Sequence, residues 1–248
     1  MDYGIQFPTT ILINLENCVI CALMSIMKII DAHSHIEYIT HNFQKDVVGT
    51  LCCATKELEW GVLSELLHKD KNIYGAFGIH PWFVDSVEPG FEKRLEDLLK
   101  TNSEYMVGEI GLDKYKPDME KQLELFQKQL DLAIRLQRSV FLHCVGAWDK
   151  ILHVLKQYKE SELPVMVLHD FSANNDILTK LLQYKNIYFS LGKNVVYDRF
   201  CRIEEIPNNR ILIETDGDKN IILKNLIDKI SKNESVIYNN TLRVLNNE

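Results

Sequence analysis

Basic charge is scarce in this sequence. Its 28 lysines and arginines are outnumbered by 35 aspartates and glutamates, for a net charge of −7. A chain that grips a polyanion along a broad face is usually basic, so any nucleic-acid substrate would be held locally, at strand ends or through metal. Long apolar runs are also missing. The apolar stretch Ile11–Met27 is broken by Asn14, Glu16 and Asn17, and the run Cys18–Met27 is too short to span a bilayer. No Lys or Arg precedes it, as a signal peptide requires. The six cysteines make no disulfide framework: Cys52 and Cys53 are adjacent, and Cys18 and Cys21 form one isolated C-x-x-C without a second ligand pair. Small buried hydrophobes in a reducing, cytoplasmic compartment is the reading that fits. There is no Pro/Gly-rich linker, internal repeat, glycine-rich phosphate loop, nucleophile elbow or dinucleotide fingerprint, which excludes nucleotide-cofactor enzymes.

What is present is a regular alternation. At 248 residues and 46% hydrophobic, the chain suits one (β/α)₈ TIM barrel. Eight β-rich runs are predicted at Lys28–Ala32, Val47–Cys53, Ile73–Gly78, Tyr105–Glu109, Val140–His143, Val165–His169, Ile187–Ser190 and Arg210–Glu214. Helical patterns lie between them at Glu57–His68, Phe91–Lys100, Met119–Gln137, Ala147–Gln157 and Asn175–Gln183, with a weaker one around Arg199–Glu204. A last amphipathic stretch from Ile221 is broken near Ser231–Asn233. In the third helix Leu123, Phe126, Leu130, Ala133 and Ile134 recur at core spacing. Residues 28–248 read as a single barrel domain, and residues 1–27 as an N-terminal extension, with Met27 a candidate start.

Residues able to bind metal cluster where these strands end, the face on which barrel enzymes place their sites. The first strand runs into Asp31-Ala32-His33-Ser34-His35, whose two histidines share a face. Later strands bring Glu109 in Gly108-Glu109-Ile110-Gly111, His143, His169, and Asp216 in Glu214-Thr215-Asp216. A mixed imidazole–carboxylate set of this kind suits two divalent ions, Mg²⁺, Mn²⁺ or Zn²⁺. His41 and His68 fall outside the motifs and read as surface residues, and His153, on the helix after the fifth strand, reads as structural. Asp113 reads as a supporting residue and Lys114 as a candidate phosphate contact. Trp82 and Phe83 read equally as a base-stacking platform or an aromatic cap on the rim.

These motifs, with Gly78-Ile79-His80-Pro81, Gly111-Leu112-Asp113 and His169-Asp170-Phe171-Ser172, resemble in order and spacing the TatD family of metal-dependent hydrolases, from about Lys28 to Asp216. The resemblance implies a (β/α)₈ barrel, divalent metals and phosphodiester hydrolysis of DNA, often as an exonuclease. It also implies that His33, His35 and Asp216 hold one metal, that His143 and His169 hold a second, and that Glu109 bridges them. Asp216 would in addition accept a proton from the attacking water, and His80 would contact the phosphate. The sequence departs from the family in its substrate-facing parts. No Arg follows His143, where Cys144-Val145-Gly146-Ala147 stands; Ala173 follows Ser172; and Gly217-Asp218-Lys219-Asn220 replaces a Pro- and Tyr-containing loop. Two other readings of the barrel are a small-molecule amidohydrolase, disfavoured by Glu109 where many such enzymes use a carboxylated Lys, and a non-catalytic metal-bound scaffold. No membrane and no obligatory protein partner is expected.

Overall fold

The computed structural model describes residues 28–39, 44–200 and 202–247. The reading of residues 1–27 as an extension, the Cys18/Cys21 pair and His41 lie outside them. Eight strands follow one another: β1 (Ile29–Ser34), β2 (Val47–Cys53), β3 (Ile73–Phe77), β4 (Met106–Asp113), β5 (Val140–Val145), β6 (Met166–Leu168), β7 (Ile187–Leu191) and β8 (Ile211–Ile213). Each pairs in parallel with the next, in the order β1 to β8. Helices intervene: α1 (Ile36–Ile39), α2 (Trp60–Lys69), α3 (Phe91–Thr101), α4 (Met119–Leu136), α5 (Trp148–Leu155), α6 (Asn175–Leu181), α7 (Lys193–Val196), α8 (Leu223–Ile230) and α9 (Glu234–Leu245). None among the described residues is long and apolar enough to cross a membrane.

Alternation along the strands divides the core in two. Ile30, Ala32, Leu51, Cys53, Ala76, Met106, Phe141, Val167 and Leu212 form one cluster, joined by Val244 and Leu245 of α9. Their neighbours of opposite parity, such as Ile29, Cys52, Phe77 and Val107, pack with the helices, where Leu63, Leu95, Phe126 and Leu155 are fully buried. This is the barrel interior and the strand–helix layer that a period of two requires. On α4, Phe126, Leu130 and Ala133 are buried, while Leu123 and Ile134 pack at its margin.

Between β8 and β1 the described residues show no ladder pairing, and the seam is held at its C-terminal end by other means. The Asp216 N–H donates to the His33 carbonyl (3.0 Å). The Asp31 carboxylate accepts from the Thr215 N–H (3.0 Å) and hydroxyl (2.6 Å). Close approach also explains a motif glycine: at Gly111 (φ 145°) a Cβ would lie 1.9 Å from the His143 carbonyl oxygen, so only glycine lets β4 run this near β5.

The helix expected around Arg199–Glu204 is corrected. The helical turn comes earlier, as α7, and among the described residues the 3₁₀ turns Ile203–Glu205 and Asn208–Arg210 follow. Asn194 is the reason. Its backbone and side-chain N–H groups both donate to Asp170 at 2.8–2.9 Å, anchoring the turn directly after β7. The C-terminal stretch does break, because Ser231 takes a left-handed conformation (φ 51°) and Asn233 caps α9 by accepting from Val236 N–H.

One buried side chain ties the outer helices to the mouth. Gln129 of α4 accepts from the Ile79 N–H (2.7 Å) and donates to the Ile79 carbonyl (3.1 Å), fixing the turn that carries His80. Gln129→Leu leaves both backbone groups buried without partners, a loss of about 1–3 kcal/mol for each. The urea midpoint should fall accordingly; an unchanged midpoint would show that the turn is held by other contacts.

Candidate metal centre

The C-terminal ends of five strands, β1, β4, β5, β6 and β8, with the loop after β3, bring His33, His35, His80, Glu109, His143, His169 and Asp216 into one mouth. Glu109 lies at its centre, 2% exposed, and its two oxygens face different partners. Oε2 is 3.3 Å from His33 Nε2 and 3.7 Å from His35 Nε2. Oε1 is 2.9 Å from both His143 Nδ1 and His169 Nε2, and 3.2 Å from His80 Nε2. Asp216 closes the first side, with Oδ1 at 3.1 Å from His35 and 3.6 Å from His33. Three groups of potential ligand atoms result: His33 with His35 and Glu109, His33 with His169 and Asp216, and His80 with Glu109 and His143.

The far nitrogen of each imidazole decides what the near one can do. His35 Nδ1 donates to the Cys53 carbonyl (3.1 Å), so its Nε2 lone pair points into the site. His169 Nδ1 bonds to the Glu214 carboxylate (3.1 Å) and leaves Nε2 in the same state. His143 turns its Nε2 toward Asp113 (3.8 Å) and its Nδ1 inward. His33 Nδ1 contacts the Cys53 thiol (3.4 Å), with Nε2 inward. His80 differs. Its Nδ1 accepts from the Trp82 N–H (3.1 Å), so in the neutral ring the proton sits on Nε2, the atom facing Glu109. In their neutral forms His35 and His169 thus offer lone pairs to the mouth, and His80 offers a proton.

Charge follows the same plan. Burial alone would raise the Glu109 pKa, but His169, His80 and His33 around it hold it well below the usual carboxylate range. Burial likewise opposes ionisation of Asp216, yet the bond to His35 and the nearby His169 and His33 bring it to about 2. His35 loses hydration, which disfavours its charged form, but Asp216 and Glu109 outweigh that and raise it to about 9. His143 and His169 are also raised against burial, by carboxylates. Burial lowers His80 to about 4, keeping it neutral near pH 7. The negative potential that holds protons on these imidazoles is one that would hold a metal cation instead. The donor set fits such an ion: His33 Nε2 and Glu109 Oε1 are buried with no hydrogen-bond partner despite their close contacts.

Supporting contacts surround this cluster. Asp31 joins β1 to Thr215 and so aims both His33 and Asp216. Asp216 has a left-handed backbone (φ 49°), which Asp tolerates better than most residues, and this turns its side chain back into the mouth. Glu214, fully buried, orients His169 and also accepts from the Asp170 N–H. A cavity of about 400 Å³ opens over His143, His169 and Asp216, and its walls include Lys193 and Arg199. These are cations from the β7 side, where none follows His143. His68 is exposed, as expected; His153, read as structural, is exposed too. Cys52 and Cys53 are buried free thiols.

The pH dependence has a definite sign. His35's folded pKa of about 9 lies above its ordinary 6.5. Its stabilising contribution is therefore complete below about pH 6.5 and lost as pH rises through about 9. The raised His143 and His169 act in the same direction. Denaturation midpoints of the chelator-treated protein should fall across that window, and fall less in His35→Gln. A midpoint that rises with pH there would contradict this charge arrangement.

The profile of TatD related DNases matches residues 30–241. The chain is 27% identical over 186 residues to the human 3'-5' RNA nuclease TATDN2, covering 71% of this chain and 24% of that protein. It is 29% identical over 154 residues to the 3'-5' ssDNA/RNA exonuclease TatD of Yersinia pseudotuberculosis, covering 58% and 57%. The matched stretch spans less than two thirds of the first such relatives, at 24%, 61% and 64% of their lengths. Among solved structures, the TatD homologue YjjV of Escherichia coli superposes with a TM-score of 0.77 at 24% identity, covering 89% of this chain and 99% of that one, a likeness of fold. With a near-closed eight-stranded barrel, a buried His/Glu cluster at its mouth and a profile match over most of its length, the chain belongs to the TatD-related DNase family of metal-dependent hydrolases.

Proposed function

We propose that the chain is a phosphodiesterase that cleaves DNA in an exonuclease-like manner, using two divalent cations, Mg²⁺, Mn²⁺ or Zn²⁺. The observation that carries this reading is the division of Glu109: one oxygen toward His33 and His35, the other toward His143 and His169. A carboxylate can bridge because it has two oxygens. His33, His35 and Asp216 would hold one ion, and His143 and His169 the other. Such a pair, when bound, activates a water and neutralises charge on the phosphate. Asp216 accepts the proton of the attacking water as its oxygen bonds to phosphorus and the bond to the leaving oxygen breaks. His80, neutral and protonated on Nε2, donates to a phosphate oxygen. Two of the relatives, a 3'-5' RNA nuclease and a 3'-5' ssDNA/RNA exonuclease, support a nucleic-acid substrate.

After dialysis against Mn²⁺ or Zn²⁺, elemental analysis should approach two ions per chain, as a dinuclear centre requires. Chelation should lower the melting temperature, because an ion that binds only the native state stabilises it by mass action. Binding of one ion at most would sink the dinuclear centre.

Asp216→Asn preserves shape but removes charge and basicity. Turnover of single-stranded DNA at saturating metal should fall by at least ~100-fold, within what a positioned general base contributes. Glu214→Gln acts on His169 from behind, so it should weaken metal affinity by ~10–100-fold and leave turnover at saturating metal much less affected. The reverse ranking would exchange their roles. Assays on DNA, RNA and a generic phosphodiester, with metal restored after chelation, test the substrate class.

A further inference from the structure

Trp82 is exposed beside the centre and is nonetheless held still. The other two tryptophans, Trp60 and Trp148, are 6% and 7% exposed; Trp82 is 53% exposed. Its indole N–H donates to Asp113 Oδ2 (2.8 Å), and its backbone N–H donates to His80 (3.1 Å). The ring stands edge-on to His80, 5.2 Å between centroids, and 6.4 Å from His143. Both hydrogen bonds run to residues that face the metal ligands. The ring's position is therefore set by the centre, although the hydrophobic core gains little from an indole left half in water.

Its surroundings share one chemistry. The four exposed aromatic side chains among the described residues, Tyr38, Trp82, Tyr115 and Tyr197, all follow C-terminal strand ends and so stand on the face that holds the centre. Beside Trp82, Lys116 Nζ lies 4.0 Å from the ring centroid, and Lys114 Nζ lies 5.0 Å from that of Tyr115. The Lys114 stem packs on the next loop, where a Cβ on Gly146 would meet its Cδ at 2.5 Å. Across the mouth, Lys193 and Arg199 line the same cavity as Tyr115. Flat rings interleaved with cations are how proteins hold unpaired strands with little sequence preference. On a chain of net charge −7, stacking supplies affinity that a broad basic face does not.

We propose that Trp82 is the stacking platform for the unpaired base next to the cleaved phosphodiester, with Lys114 and Lys116 beside the flanking phosphates. This deepens the nuclease reading and rests on it for the position of the cleaved bond. It assigns the substrate as a single strand recognised through a base, not through its phosphates alone.

The test uses the metal-loaded full chain. Trp82 is the exposed indole, so titration with a cleavage-resistant phosphorothioate oligothymidylate should quench tryptophan fluorescence, and the quench should be absent in Trp82→Phe. In parallel, KM is measured on single-stranded DNA with ordinary ends and on the same strand with abasic ends. Wild type should prefer the base-bearing strand by ~5–100-fold, the range of one base–aromatic stack. Trp82→Ala should lose that preference, and Trp82→Phe should keep much of it. Lack of quenching, or an equal preference in Trp82→Ala and wild type, overturns the platform even if DNA is cleaved. If no nucleic acid is cleaved, the nuclease reading fails, and the titration alone decides: quenching by the oligonucleotide upholds the platform, and its absence overturns it.

Discussion

A carboxylate that is 2% exposed is ordinarily expelled or neutralised, because a buried charge without partners is costly. Glu109 remains ionised because five imidazoles approach its two oxygens within 3.7 Å. Those imidazoles come from the ends of β1, β5 and β6 and from the loop after β3. Their convergence requires the barrel to close, and the polar cluster is tolerated only because each part answers another. The barrel mouth and the charge of Glu109 therefore depend on each other.

Closure is itself made partly from polar contacts near the site. Where β8 meets β1, the link is the carboxylate of Asp31 on Thr215, and the adjacent Asp216 N–H on the His33 carbonyl. Gln129 and Gln122, both buried on α4, bind the backbone on either side of β4, at Ile79 and at Asp113. A helix on the outer layer thus sets the heights of the His80 and Asp113 turns. Such second-layer contacts aim ligands, and their loss is felt at the centre more than its distance would suggest.

The acidic composition is reconciled with a polyanionic substrate by location. Carboxylates of the outer helices pair with lysines four residues away in four places, as Glu96 does with Lys100. At the mouth, the carboxylates face imidazoles, and cations stand over the aromatic rings of the rim. A local binding surface of this type needs no net positive charge.

Much of this was legible in the sequence, for physical reasons. Strand alternation and helical spacing report burial directly, so all eight strands and the main helices fall close to where the pattern puts them. The six potential ligands stand out because they fall at the ends of five strands, which a barrel brings to one face. Only the tertiary structure decided the rest. Which nitrogen carries a proton depends, for His35 and His169, on partners far apart in sequence, Cys53 and Glu214. The helical turn after β7 was misplaced because Asp170, 24 residues away, anchors Asn194. The cations facing the cavity come from β7's loop, not from the segment after His143. Local pattern reports burial and period, whereas pairings across the barrel exist only once β8 has returned to β1.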